Sequence, residues 1–276
     1  MYGEHLPSYV LSSASKFIGR VTKLLWSVDD TDRNIQTLFS EFMSHSNKHI
    51  VLGFTVMADI VHEMNTILPG MKWLARKYHS LGEQRTNYRK VAISFRESAL
   101  FDIFVLAFNT LNSVFVNSLV IEDNSLKQSV YQSSLELIKA CYLYDFIGAT
   151  SDDVSEEIST IHIPAKWDTF VTQSSNIELL FQMYANAPSV VIHSSYQTAN
   201  VETATLLLDI VLCQVSIRRS LFISSEQRIN YVTTIMNGLV AIMETKTNLQ
   251  YNSVYNLFCQ ICGRLKVFCW WIWWSL

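Results

Sequence analysis

The chain has 276 residues, of which 49% are hydrophobic and only 16% are charged. That composition excludes extensive disorder, and 8 glycines with 4 prolines are too few for a turn-rich all-β protein. A net charge of −3 with a pI near 6.2 argues against a general nucleic-acid-binding protein. No secretory signal is evident, and five scattered cysteines favour a reducing, intracellular compartment over a disulfide framework.

The first part of the chain predicts three helices. The first is expected over about residues 8–26, with an apolar stripe made of Val10, Ala14, Phe17, Val21 and Leu24. Asp29 or Asp30 is a candidate cap for the second helix, and Asn47 for the third. The third helix is expected to face inward with Ile50, Phe54, Met57, Val61 and Met64. A polar hinge is expected at 82–87.

The run from Arg89 to Phe115 is the most informative stretch. One apolar stripe contains Phe101, Phe104, Val105, Phe108, Leu111 and Phe115, and a second beside it contains Leu100, Ile103, Ala107 and Val114. Polar residues such as Asp102 and Asn109 interrupt the run before it reaches the roughly 18 apolar residues of a membrane span. The pattern therefore predicts a buried inner helix in a stack of helical hairpins, with no membrane insertion.

A long loop is expected at 145–166, after a helix over about 125–143. The loop contains an extended piece at 159–164 and an acidic cluster, defined as Asp152, Asp153, Glu156 and Glu157. Long loops in compact domains are often functional. Two interpretations of the acidic cluster stay open, a contact surface for a basic partner and a solvated loop.

The last third of the chain predicts three more helices around a nearly all-apolar one. Capping boxes at Ser175-x-x-Glu178 and Ser224-x-x-Gln227 mark two helix starts. The helix opened by Ser224 is expected to bury Ile229, Val232, Met236, Leu239 and Met243. Between the boxes lie a predicted loop at 189–203 and the apolar helix at 204–217, and the final helix is expected to bury Val254, Leu257, Phe258, Ile261 and Leu265.

About nine helices and no βαβ alternation predict an all-α fold. Helical pairs recurring at roughly 40–47 residues are typical of HEAT or armadillo arrays. We therefore predict a HEAT/armadillo-like α-solenoid of antiparallel helical hairpins. Periodicity alone leaves an irregular all-α bundle open.

Candidate chemistry is sparse. Cys259-x-x-Cys262 has the spacing of one half of a zinc site or of a thioredoxin-type redox pair. A zinc site needs four ligands and the redox pair needs a βαβ context, so two core cysteines are the favoured interpretation. His62 lacks a second histidine at Thr66, where a zincin helix needs one. His45 and His49 lie one turn apart without a third ligand. We predict no enzyme, no catalytic residue, no cofactor and no metal site.

Two adjacent arginines, Arg218 and Arg219, follow the apolar helix. Cations at the carboxyl end of a helix oppose the negative end of its dipole, which predicts a structural role. A contact with a protein partner is the alternative. These two arginines and the acidic cluster are the candidate protein-contact residues of the sequence.

Several ordered runs resemble the exportin-7 family of nuclear transport receptors, whose relatives are called Ran-binding proteins. They are RKVAISFRESALFDIF (89–104), YDFIGATSDD (144–153), IPAKW (163–167), SIRRSLF (216–222), and NLFC with GRLK between 256 and 266. The resemblance covers about residues 17–266. It implies an importin-β-like HEAT superhelix that binds Ran in its GTP form, cargo proteins and nucleoporins, and that shuttles between nucleus and cytoplasm through the nuclear pore.

The same resemblance suggests a division of the chain. Family members are several times longer, so we expect residues 1–266 to be a fragment of a longer superhelix. Residues 267–276, which hold four of the seven tryptophans, match nothing in the family and are expected to be a tail of different origin. The alternative function is a generic α-solenoid scaffold for protein–protein interaction without transport activity.

Overall fold

The computed structural model describes residues 7–26, 35–66, 81–145, 160–186 and 196–273, and within these ranges it leaves the side chains of residues 36, 81–87, 196–200 and 267–273 undescribed. Nearly all of this part of the chain is helical, and it holds one isolated β-bridge and no strand. The predicted all-α class is confirmed. Among the helices in these described ranges, none combines the length and apolar character needed to cross a membrane.

Ten long helices can be followed through the described ranges. In chain order they are α1 Ser8–Trp26, α2 Ile35–Met43, α3 Asn47–Asn65, α4 Leu81–Phe95, α5 Phe101–Phe115, α6 Asn124–Tyr142, α7 Ser174–Asn186, α8 Tyr196–Val215, α9 Ser225–Thr245 and α10 Asn252–Trp273. A π-helical turn, Arg96–Leu100, joins α4 to α5. The chain forms two compact units, one of Met1–Leu111 with Leu119–Ala149 and one of Asn112–Ser118 with Thr150–Leu276.

In the first unit, helix α3 packs between α1 and α6. The Ser15 hydroxyl of α1 donates to the Asp59 carboxylate of α3. Eight residues later Lys23 Nζ donates to the main-chain oxygens of Glu63, at 2.6 Å, and Thr66, at 2.5 Å. Because both contacts advance in the same direction along the two helices, α1 and α3 run parallel.

In the second unit, α7 packs against α9, and α8 against α10. The start of α9 meets the segment just before α7, where Gln227 Nε2 donates to Thr172 Oγ1 at 2.8 Å. The ends of the two helices meet where Tyr184 Oη donates to the Thr247 oxygen at 2.8 Å. Helices α7 and α9 are therefore also parallel neighbours.

Close packing of alternate helices distinguishes repeated hairpins from an irregular bundle. In a row of antiparallel pairs, every second helix points the same way and lies in the same layer. Each unit shows this arrangement within itself, and the predicted HEAT/armadillo-like α-solenoid fold is confirmed. The core residues are those expected for α3, where Ile50, Phe54, Met57, Val61 and Met64 are all buried.

The central run is one continuous helical stretch, as predicted, apart from its π turn. Its buried positions recur at every fourth residue: Val91, Phe95, Ala99, Ile103, Ala107 and Leu111. On an α-helix a four-residue step drifts by about 40°, because 3.6 residues make one turn. The wider π turn in the middle of the series opposes that drift, so both halves keep the same side buried.

The predicted inner face of α1 is wrong. Phe17 and Leu24 are 67% and 56% exposed, whereas Ser15, Gly19 and Lys23 are buried against α3. A Cβ added at Gly19 would lie 3.2 Å from the Asp59 main-chain oxygen, so the two backbones approach closely only on this face. Close approach and polar pairing decide the orientation of α1, rather than its apolar stripe.

The predicted face of α9 is only partly right. Val232 and Leu239 are buried, but Ile229, Met236 and Met243 are 42%, 46% and 57% exposed. Helix α9 has apolar residues on two faces. The face that includes Gly238 packs against Phe181 of α7, which leaves the other face outside.

Some predicted boundaries are also wrong. Helix α8 begins at Tyr196, inside the expected loop 189–203, and α4 begins at Leu81, so the expected hinge 82–87 is helical. Both stretches are polar but rich in residues that tolerate a helix. Ser46 rather than Asn47 caps α3, and α7 begins at Ser174, one residue before the expected cap Ser175. Residues 29 and 30 lie outside the described ranges.

Lys23 offers a test of the parallel α1–α3 contact. Its side chain is 3% exposed, and burial lowers its pKa, an effect partly opposed by the Glu63 carboxylate. We expect Lys23→Ala to reduce the free energy of unfolding by about 1–3 kcal/mol, because the α3 carboxyl end loses both hydrogen bonds donated by the Lys23 ammonium. Lys16→Ala, at an exposed site on the same helix, is the control in urea denaturation. Equal losses in both variants would contradict this account of α1.

Two helical glycines form a matched pair for the α7–α9 contact. A Cβ at Gly238 would lie 2.4 Å from the Phe181 ring, whereas a Cβ at Gly263 would meet nothing within 4 Å. We expect Gly238→Ala to cost about 1–3 kcal/mol through overpacking. Gly263→Ala should instead stabilise α10 by about 0.5–1 kcal/mol, because alanine favours the helix. Thermal unfolding of both variants checks the opposite signs, and a stabilising Gly238→Ala would refute the close contact.

Candidate functional site

The candidate site begins where the chain leaves α8. Ile217 forms a parallel β-bridge with Ile161, in which the Ile161 N–H donates to the Ser216 oxygen at 2.8 Å. The Arg218 N–H returns a bond to the Ile161 oxygen at 2.9 Å. The extended piece predicted at 159–164 is confirmed from residue 160 onward. It fixes the segment that carries the two adjacent arginines.

Arg218 and Arg219 do not close α8 as predicted. The helix ends at Val215, and the chain turns into the β-bridge before either arginine. Arg218 is exposed and its guanidinium Nη1 donates to His162 Nδ1 at 3.3 Å. Arg219 opens a 3₁₀ turn, Arg219–Leu221, and lines a cavity. Neither arginine therefore belongs to the last turn of α8, and the two side chains differ in their surroundings.

The cavity next to Arg219 has a volume of about 350 Å³. Its wall is formed by the end of α8, the extended piece and the two last helices, and the lining residues are Thr160, Val215, Ser216, Ile217, Arg219, Arg228 and Arg264. Three of these seven residues are arginines, and none is acidic. All of them belong to the second unit.

Arg228, in the first turns of α9, is the buried member of the group. Only 6% of its surface is exposed, and its Nε is buried without a hydrogen-bond partner among the described residues. Burial lowers the pKa of Arg228, and the nearby charge of Arg219 lowers it further. The guanidinium remains protonated at neutral pH, because its reference pKa is above 12. The cavity wall thus contains a buried positive charge with donor capacity to spare.

A hydrogen-bonded cap holds the start of α9 in place. Ser224 Oγ accepts from the Gln227 N–H at 3.0 Å, and Gln227 Oε1 accepts from the Ile223 N–H at 2.8 Å. The Gln227 amide also donates to the buried Asp168 carboxylate at 3.1 Å. The predicted cap at Ser224 is confirmed, but Gln227 bonds back to the Ile223 N–H rather than to the Ser224 N–H of a regular capping box. Because Gln227 immediately precedes Arg228, this network positions the arginine at the cavity.

Sequence reasoning found only part of this cluster. It singled out Arg219 but missed Arg228 and Arg264, which lie 9 and 45 residues further along. A signal for Arg228 was available, since it shares a helical face with Tyr231, Val232 and Ile235, all buried. The four residues of the acidic cluster lie outside the described residues.

The cysteines singled out in the sequence form no metal site in the described part of the chain. Cys259 and Cys262 are exposed, so the core-cysteine interpretation is wrong: α10 buries the face of Val254, Phe258 and Ile261 instead. Within the ranges described, no three histidine, cysteine or acidic side chains come together to hold a metal.

The two histidines one turn apart are bound locally. His45 Nδ1 lies 2.9 Å from the Glu41 oxygen, and His49 Nδ1 lies 2.6 Å from Ser46 Oγ. Their ring centroids are 5.8 Å apart. Each histidine therefore contributes to the turn between α2 and α3.

Comparison with known proteins gives a consistent result. The chain is 30% identical to Exportin-7-B of Xenopus laevis and 27% identical to Ran-binding protein 17 of Homo sapiens, each over 95% of its own length and 22% of theirs. It is 31% identical to Exportin-7 of Dictyostelium discoideum over 81% of its own length and 19% of that protein's. The predicted resemblance to the exportin-7 family is confirmed. No family model and no solved structure matches the chain significantly. The chain spans about a fifth of the length of these relatives.

The repulsion between Arg219 and Arg228 can be measured. We expect Arg219→Gln to raise the free energy of unfolding by about 0.2–1 kcal/mol at low ionic strength, because a like charge is removed from beside a buried cation. The gain should shrink in 0.5 M salt, chosen here to exceed the roughly 0.1–0.15 M range in which charges still interact over about 8–10 Å. Arg218→Gln is the control, since it changes the net charge equally. Urea denaturation that shows identical effects for both variants would contradict the pairing.

Proposed function

We propose that this chain is a segment of a nuclear export receptor of the exportin-7 type. The observation that supports it is the alignment of 95% of the chain with proteins named exportin-7 and Ran-binding protein, at 27% to 30% identity. A similarity that runs through nearly every helix is more specific than any isolated motif. The whole receptor binds Ran in its GTP form and cargo proteins, contacts nucleoporins and shuttles between nucleus and cytoplasm through the pore.

The fold supports a binding role. Rows of parallel helices present long continuous surfaces, and repeat proteins use such surfaces to hold other macromolecules. In the proposed receptor, Ran and cargo bind together and each raises the affinity for the other. That coupling amounts to about 1–3 kcal/mol, and hydrolysis of GTP on Ran removes it. The receptor itself carries out no covalent chemistry and needs no cofactor.

The candidate contact residues remain proposals. We propose that the acidic cluster meets a basic partner surface, and that Arg218 and Arg219 meet an acidic one. Arg218 and Arg219 are both exposed and available for such a contact. The boundary between the repeat region, 1–266, and the tail, 267–276, is likewise a proposal.

The dependence on nucleotide provides the test. We expect a receptor of full family length that contains this segment to retain Ran loaded with a non-hydrolysable GTP analogue at least tenfold more strongly than Ran loaded with GDP. The difference should be measured by surface capture with both nucleotide states side by side. Equal retention of the two states would overturn the transport proposal and favour the scaffold alternative.

A second comparison tests the contribution of this segment's arginines within the same full-length receptor. The same capture is repeated with the receptor in which Arg218 and Arg219 are both replaced by glutamine. Weaker capture of Ran or of cargo would support the proposed contact. Unchanged capture of both would remove Arg218 and Arg219 from the interface while leaving the family-level proposal standing.

A further inference from the structure

We propose that the arginine-lined cavity of the second unit binds a phosphate monoester, the group carried by a phosphorylated side chain of a protein partner. The site consists of Arg219, Arg228 and Arg264 around the cavity of about 350 Å³ at the exit of α8. Neither the family resemblance nor the names of the relatives assign a ligand to it. The inference stands independently of Ran or cargo binding.

The first support is the convergence of charge. Three guanidinium groups from three separate elements, the 3₁₀ turn, α9 and α10, line one concave space. Guanidinium groups present a planar fork of donors that matches the oxygens of phosphate, and they keep their charge at every physiological pH. The three guanidinium groups repel one another when the cavity is empty. A dianion placed between them would be attracted by all three and would relieve that repulsion.

The second support is the state of Arg228. Only 6% of its surface is exposed, and its Nε is both buried and without a hydrogen-bond partner among the described residues. A buried donor without a partner costs roughly 1–3 kcal/mol, and a buried charge without a counter-ion costs more. Such a group is rare in a native protein unless a ligand completes it. Its neighbour Arg219 cannot complete it, since both are cations.

The third support is that the site is held ready. The Ser224–Gln227 cap and the bonds from Gln227 to Asp168 and Thr172 fix the turn that carries Arg228. The β-bridge between Ile161 and Ile217 fixes the wall opposite. A rigid donor set loses little conformational entropy on binding, which favours affinity for a small anion.

The form of the site favours a single phosphate group over a nucleic acid. A nucleic acid is held by a stripe of basic residues in a strongly basic domain, whereas this chain has a net charge of −3. The cavity is also small, at the lower end of the roughly 300–1,000 Å³ of ligand pockets. A phosphorylated serine or threonine side chain has the size and the charge of about −2 that suit three arginines.

Titration calorimetry on the whole chain tests the site with O-phosphoserine and, as the matched control, serine. We expect O-phosphoserine to bind at least tenfold more tightly than serine, and the affinity to fall as salt rises. Arg219→Gln, at an exposed position, should weaken O-phosphoserine binding at least fivefold while the chain stays folded. Arg20→Gln, an exposed arginine of the first unit, should leave it unchanged.

Further arms distinguish the sources of the phosphate. Inorganic phosphate that binds as tightly as O-phosphoserine, with the same loss in Arg219→Gln, would support the phosphate site but assign it to the free anion. Arg228→Gln, checked for folding by circular dichroism, should abolish binding of both. Indifference of O-phosphoserine binding to Arg219→Gln and Arg228→Gln would overturn the proposal. Binding that appears only after neutralising the acidic cluster would also overturn it, because the chain's own carboxylates would then be the occupant.

Discussion

Close packing between every second helix is the constraint on which the rest of this structure depends. Helices α1 and α3 in the first unit, and α7 and α9 in the second, are parallel neighbours, and hydrogen bonds join each pair at two separate levels. In each pair a glycine lies at a contact with little room for a Cβ, Gly19 against the Asp59 main chain and Gly238 against the Phe181 ring. The side of a helix that turns inward is therefore chosen by how closely its backbone can approach a neighbour.

That constraint explains which sequence predictions succeed. The helices themselves, the buried faces of α3 and α10, and the cap at Ser224 follow from local patterns, because the apolar stripe there is also the packed face. For α1 the two faces differ: Ser15, Gly19 and Lys23 carry little hydrophobic signal yet lie inside. No count of apolar residues could reveal this, since the partner of Lys23 is a pair of main-chain oxygens 40 and 43 residues away.

Less of the candidate site than of the helices could be predicted from the sequence. Arg219 could be singled out because two adjacent arginines follow a very apolar helix. Arg228 and Arg264 belong to helices with mixed faces, and their approach to Arg219 depends on how α8, α9 and α10 pack together. The predicted end of α8 is wrong for a related reason, as the bridge between Ile161 and Ile217 ends α8 two residues earlier than the apolar pattern indicates. Long-range pairing of this kind leaves no trace in sequence spacing.

The resemblance to exportin-7 and the arginine cavity bear on different scales of function. The first concerns relatives more than four times the length of this chain, of which this chain matches 22%. The second concerns a few side chains within one unit, and arginine serves there as a binding group. A binding surface gains selectivity from such local contacts, because a buried polar group that meets no partner is costly.

The π turn at Arg96–Leu100 also determines where this sequence can lose a residue. A π turn holds about one residue more than an α-helix uses for the same rotation. Loss of one residue within it would therefore restore ordinary helical winding and leave the side chains of α5 facing nearly the same way. Loss of a residue elsewhere in α4 would instead rotate α5 by about 100°, turning Ile103 outward and Asn109 inward. Deletions at the π turn should therefore be tolerated better than deletions elsewhere in α4.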